Sequence, residues 1–267
     1  MQAPSFPRVG RSRISQPAMR QRSLAWLPGL LAASLSACGG DEPTCDADCA
    51  EAPALVSVSG DALPFTGGNT GRIEGAVISV LEHPEMRFTT GADGHFQFDG
   101  LESGTEVTLV LEHPDYHLIQ TGTHLLTDAG IERLTFQAVT PATYAALANV
   151  LMITPDDEHL CQMVTTVTRI GKSIYDAGAH GEPGVTVALD PPLPPEQGPV
   201  YFNASVIPDR TLTETSEDGG VLFSQVEPGE YVWTASKPGV ELRQVKMKCR
   251  AGVLVNASPP WGLQVIE

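Results

Sequence analysis

One local pattern occurs twice in the chain and restricts its fold more than any other feature. Asp93-Gly94-His95-Phe96-Gln97-Phe98, followed by Leu101 and Gly104, returns as Asp218-Gly219-Gly220-Val221-Leu222-Phe223, followed by Val226 and Gly229, at a constant offset of 125 residues. An Asp-Gly pair suits a tight turn, because Asp tolerates the bend and Gly reaches positive φ without steric cost. Phe96 and Phe98 alternate with His95, Gln97 and Asp99, the period of a half-buried strand. A turn and strand recurring at a fixed offset mark a duplicated supersecondary unit. Upstream, Gly75-Ala76-Val77 matches Pro183-Gly184-Val185 at a shorter offset, so the second copy carries an insertion that includes the proline-rich 190–196.

The rest of the chain reads the same way. Ile73, Val77 and Val80 are expected to form one apolar set, and Val107, Leu109 and Leu111 alternate with Thr108, Val110 and Glu112. Ala92-Asp93-Gly94 is expected to close a hairpin between Phe88-Thr90 and Phe96-Phe98. Twenty-six Gly and 22 Pro against 6% aromatics point to short elements joined by turns rather than a helical bundle. One helix is expected over 140–152, with Thr140 as N-cap, Pro141 at the first position, and Tyr144, Leu147, Val150 and Leu151 on the buried face. The expected fold is therefore mainly β: two β-sandwich modules at 55–139 and 159–267, joined by a short helical segment at 140–158.

Residues 1–37 stand apart. They hold five arginines and no acid, then an apolar run over 24–37 broken by Pro28-Gly29. Basic residues, a short apolar core and small residues make an export signal, too short to span a bilayer. Leu35-Ser36-Ala37-Cys38 resembles the lipobox of bacterial lipoproteins, in which the cysteine thiol takes a diacylglycerol before cleavage. That resemblance implies lipidation at Cys38, and Gly39 in place of Asp implies the outer membrane. The segment 38–54 is short, polar and acidic, a flexible tether. The whole chain carries −16, and −21 without residues 1–37, which excludes a general affinity for nucleic acid and leaves lipid as the membrane attachment.

The strand Gly75-Ala76-Val77, the Asp-Gly turn and Val226-Glu227-Pro228-Gly229-Glu230-Tyr231-Val232 with Lys237-Pro238-Gly239 resemble carboxypeptidase regulatory-like domains. The first copy departs from the motif, with Ser103 in place of Pro and Glu106 in place of Tyr. The resemblance implies Ig/transthyretin-like β-sandwiches and no activity, since the motif is structural and the catalytic domain of metallocarboxypeptidases is missing from the sequence. With Cys38 acylated, Cys45, Cys49, Cys161 and Cys249 allow three pairings. An oxidising compartment favours Cys45–Cys49 within the tether, and a sandwich would let Cys161 and Cys249 meet. The other reading leaves Cys161 and Cys249 as free buried thiols.

Chemistry finds little support. Cys45 and Cys49 lack a second pair for zinc. His113 and His117 flank Pro114, and Glu-His-Pro at 82–84 and 112–114 reads as a turn at a strand exit. Intradiol dioxygenases share a similar run but need an H-x-H that this sequence lacks. No G-x-S-x-G or phosphate loop occurs, and Asp156-Asp157-Glu158 lacks calcium-loop spacing. The expectation is no metal, no cofactor and no catalytic residue. What remains is a non-enzymatic, lipid-anchored envelope protein whose modules bind an envelope protein or glycan, or act as spacers. The loop 190–199 with Tyr201-Phe202 is expected as an exposed binding edge. The alternative is an envelope hydrolase using loop carboxylates.

Overall fold

The computed structural model describes residues 52–65, 71–176, 178–258 and 261–267. Cys38, Cys45, Cys49 and the tether lie outside them. In the first half, nine strands follow in order: β1 (Leu55–Pro64), β2 (Val77–Val80), β3 (Arg87–Thr89), β4 (His95–Glu102), β5 (Glu106–Val107), β6 (Leu109–Glu112), β7 (Ile119–Thr121), β8 (His124–Leu125) and β9 (Phe136–Ala138). Sheet β4-β1-β9 faces the run β7-β6-β2-β3, with β5-β8 as a separate pair. Between the layers lie Val58, Phe96, Leu109, Leu111 and Ile119, all fully buried. The alternation of β4 is as its sequence implies. Of the set expected with β2, Ile73 and Val80 are in the core, while Val77 is half-buried and Ile78 enters the core in its place. Ala76 takes the core place next to Ile73.

The second half has eight strands: β10 (Cys161–Thr166), β11 (Thr186–Asp190), β12 (Val200–Phe202), β13 (Pro208–Asp209), β14 (Gly220–Val226), β15 (Gly229–Ser236), β16 (Val245–Cys249) and β17 (Leu254–Asn256). Sheet β11-β15-β16 covers β13-β12-β14-β10-β17. Trp233 is fully buried between them, edge-on to Phe223 at 5.0 Å. The disulfide Cys161–Cys249, with Cα atoms 5.9 Å apart, ties β10 in one layer to β16 in the other.

Strand registers repeat between the halves. β1 pairs antiparallel with β4 and parallel with β9; β10 pairs antiparallel with β14 and parallel with β17. Val58 lies opposite Phe98 and Met163 opposite Phe223, each next to a bulge. Both Asp-Gly turns are built alike. The Asp carboxylate accepts from the backbone N–H two residues on, at His95 (3.2 Å) and Gly220 (3.0 Å). The glycines have φ of 65° and 78°. The expected hairpin at Asp93-Gly94 is corrected: β3 pairs with β2 and β4 with β1, so the turn carries the chain from one layer to the other.

The junction between the halves is a sheet. β7 and β17 pair in parallel, which fuses two sheets into one of nine strands, β13-β12-β14-β10-β17-β7-β6-β2-β3. Helix α1 (Pro141–Leu151) links the halves along the chain and touches both, Tyr144 stacking on His117 and Leu151 packing with Phe202 and Leu222. Its start is as expected, with Thr143 N–H donating to the Thr140 hydroxyl at 3.2 Å and Pro141 leading. Ala148 and Leu151 are its buried residues, and Val150 is exposed rather than buried. Further contacts seal the junction. Lys246 Nζ meets Glu106 at 2.9 Å, and Lys248 Nζ meets Glu82 at 2.8 Å and Glu106 at 3.1 Å. Gln120 donates to the Lys248 carbonyl at 2.6 Å. Tyr175 reaches back to Thr135 and to Asp61 (3.2 Å), under the guanidinium of Arg133.

Candidate functional site

The residues singled out in the sequence separate into structural roles. Cys161 and Cys249 are paired. Asp93, Gly94 and Gly219 serve turns, and Asp218 serves a turn and also lines the groove described below. The Glu-His-Pro units are turns: Met86 N–H donates to the His83 carbonyl and Tyr116 N–H to that of His113. His113 and His117 face different rings, Tyr116 at 5.3 Å and Tyr144 at 3.9 Å. Among the described residues no three His, Cys, Asp or Glu side chains gather as a metal set. Asp156 is engaged with His159 at 3.0 Å and Asp157 with the Tyr144 hydroxyl at 2.7 Å.

The expected edge at Tyr201-Phe202 is corrected. β12 is paired on both sides, by β13 and β14. Tyr201 is buried in the core, its hydroxyl accepting from Val187 N–H at 3.0 Å. Phe202, on the opposite face, joins Val200, Leu222 and Leu151 in a third apolar cluster, with Ile153 and Val164 at its margin. Strand alternation explains this: Tyr201, Val221 and Phe223 point into the sandwich, while Phe202 and Leu222 point out of it. A sheet with both faces apolar must be covered on both, and α1 covers the outer one.

The cover is partial. Between α1 and the sheet lies a groove of about 540 Å³, with Val164, Phe202, Leu222 and Leu254 among the sheet residues and Tyr144, Leu147 and Leu151 from the helix. Small-molecule sites fall within roughly 300–1,000 Å³. The helix end is fixed by glutamines. Gln225 Nε2 donates to the Thr154 carbonyl at 3.0 Å, its Oε1 accepts from Asp156 N–H at 3.2 Å, and Gln162 Nε2 donates to it at 3.1 Å. Tyr144 stacks on His117 with an interplanar angle of 14°. Burial, and then its bond to Asp157, pushes the Tyr144 phenol well above its ordinary value. Burial pushes His117 down, against the charge of Asp157.

Ser205, Val206, His180 and Asp218 also line the groove. Asn203 organises the loop that carries Val206: its side-chain oxygen accepts from Ser205 N–H (2.9 Å) and Ile207 N–H (3.3 Å). Val206 is exposed and has φ 61°, a left-handed conformation that β-branched residues avoid. Such strain at a rim is a feature of binding sites. Burial raises the Asp218 carboxyl above its ordinary value, opposed by its bond from Gly220 N–H and by nearby His180. Lys and Arg are missing from the described lining. The groove was overlooked in the sequence, although the uninterrupted apolar runs Val200-Tyr201-Phe202 and Val221-Leu222-Phe223 signal a sheet covered on both faces.

No protein-family model matches the chain, and no curated protein matches it. Solved structures give distant likenesses. The TIE protein of Bacillus anthracis is 13% identical, with a TM-score of 0.27, over 76% of this chain and 34% of that one. A streptococcal ancillary pilin is 13% identical, with a TM-score of 0.25, over 77% and 63%. A minor pilin of Streptococcus agalactiae is 10% identical, with a TM-score of 0.26, over 79% and 95%. The chain thus spans about a third of the first of these proteins and less than two thirds of the second.

Proposed function

We propose that the chain is a non-enzymatic, lipid-anchored protein of the bacterial cell envelope, held at the outer membrane through Cys38. On this reading 55–139 and 159–267 are duplicated carboxypeptidase regulatory-like units that act as one stiff body, joined by 140–158. The observation that supports a spacer or binding body is the nine-stranded sheet running through both halves. A shared sheet resists the hinge motion expected of domains joined by a linker alone. The anchor rests on the lipobox residues Leu35-Ser36-Ala37-Cys38. The acidic balance leaves an envelope protein or glycan as the partner and disfavours nucleic acid.

Metabolic labelling with an alkynyl palmitate analogue, followed by membrane fractionation, tests the anchor. The expected product is an acylated chain beginning at Cys38 in the outer-membrane fraction, with label lost in Cys38→Ala. A mature N-terminus elsewhere, or an unmodified Cys38, rejects it. Cross-linking on intact envelopes tests the partner. A specific protein or glycan adduct is expected, and hydrolytic turnover of envelope material by the purified chain would overturn the non-enzymatic reading.

A further inference from the structure

We propose that the groove beneath α1 is a binding site for an apolar small molecule that is uncharged or positively charged, its carbon skeleton lying on Val164, Phe202 and Leu222 and its polar end facing Asp218. This goes beyond the envelope-body reading and does not depend on it.

Three observations carry the inference. The surface is concave, walled by a helix and by the 203–207 loop, and its volume of about 540 Å³ suits a small molecule better than a flat protein face. Its sheet side is largely carbon: Leu222 and Phe202 are outward-pointing, large and apolar, beside the polar Gln162, Thr166 and Asn256. Water held there gains few hydrogen bonds, so a carbon skeleton displaces it favourably. The charge leans one way: the described lining holds the Asp218 carboxyl near His180 and no Lys or Arg, in a chain of net −16. A fatty acid carboxylate or a lipid phosphate would meet the Asp218 carboxyl with no Lys or Arg in the described lining to offset it, and burying a poorly paired charge is costly. An ammonium or hydroxyl meets no such penalty beside Asp218.

The purified full chain, in detergent-free buffer near neutral pH, is titrated with N-phenyl-1-naphthylamine, a neutral dye that brightens in apolar sites. Saturable binding is expected. Decanol and decyltrimethylammonium, below their micellar range, should displace the dye about tenfold more effectively than decanoate. Amide hydrogen exchange with decyltrimethylammonium bound should slow at 147–153 and 200–206. Val164→Trp, which fills the groove from a half-buried position, should weaken dye binding by about tenfold or more. If that variant fails to fold, the exchange map of the unaltered chain decides. The absence of saturable dye binding, decanoate displacing as well as the cation, protection confined to other segments, or full dye binding by a folded Val164→Trp would each overturn the proposal.

Discussion

Glu106 stands where the other half has Tyr231. Tyr231 packs into the core of its half and donates its hydroxyl to the Glu227 carbonyl at 3.0 Å. Glu106 instead accepts from Lys246 and Lys248 of the other half. The departure from the repeat falls where one half meets the other, which the sequence alone could not show. The turn glycines, by contrast, were legible, since φ > 0 is a local demand. They differ in what surrounds them. A Cβ on Gly94 would lie 3.0 Å from the Ala62 carbonyl oxygen, and one on Gly219 would collide with the Val167 carbonyl and sit 2.7 Å from Gly181 Cα. Gly94→Val is expected to cost on the order of 1–2 kcal/mol and Gly219→Val clearly more. Chemical denaturation of both variants checks the order; equal losses would mean the close approach at Gly219 is relaxed. His124 gives a second expectation. Its Nε2 is buried without a partner, and burial pushes the ring from 6.5 down to about 4. The unfolded state then binds the extra proton between those values, so stability is full above about 6.5 and falls with pH until about 4. The slope from this one group reaches at most about 1.4 kcal/mol per pH unit. His124→Leu should flatten the acid limb relative to the unaltered chain; an unchanged limb rejects this account.

At the scale of elements, the insertion in the second copy explains most of the asymmetry. The chain between β11 and β14 contributes β12 and β13, which extend the sheet past β14. In the first half β4 pairs with β1 only, at the edge of its sheet. The added strands bring Phe202 to the outer face, and their connecting loop brings Ser205 and Val206, so the second copy builds most of the groove, while Phe65, Gln137 and Val139 of the first half also line it. The proline-rich composition of 190–196 marked the insertion but not what it builds, because strand pairing across the sheet is non-local. The helix was legible from its cap and proline. Its seam was misread at Val150, since spacing alone does not say how far a partly covering helix is rotated. The disulfide joins elements 88 residues apart and clamps the two layers of the second sandwich. In the chain-entropy account a loop of that size is worth about 4.6 kcal/mol. The Cys161→Ala/Cys249→Ala variant should lose about that much in urea unfolding, and a midpoint unshifted from the disulfide-bonded chain would reject the constraint.

At the scale of the whole molecule, sequence periodicity argued for two sandwiches, and each half does have its own core. Their fusion was hidden because it depends on pairs far apart in the chain: Lys246 and Glu106 are 140 positions apart, and Lys248 and Glu82 are 166. The β7–β17 pairing adds main-chain hydrogen bonds across the junction, and the Glu82 carboxylate also accepts from Thr108 N–H and its hydroxyl, both at 2.8 Å. Lys248 and Glu82 are each about 20% exposed, so their pairing is less screened than a surface ion pair. Opening the junction would separate these pairs and unpair the edges of β7 and β17, so the main-chain pairing and the partly buried charges add to each other. The two halves should therefore unfold together. With Trp26 and Trp261 replaced by Phe in every variant, Trp233 fluorescence follows the second half, and amide exchange in β1 and β4 follows the first. In urea their midpoints should coincide. In Glu82→Gln/Glu106→Gln, which removes the cross-junction partners of Lys246 and Lys248 and leaves Lys246 only Glu230 of its own half, the first-half transition should separate toward lower denaturant. Resolved transitions in the unaltered chain would mean that the sheet is shared in geometry but not in energy.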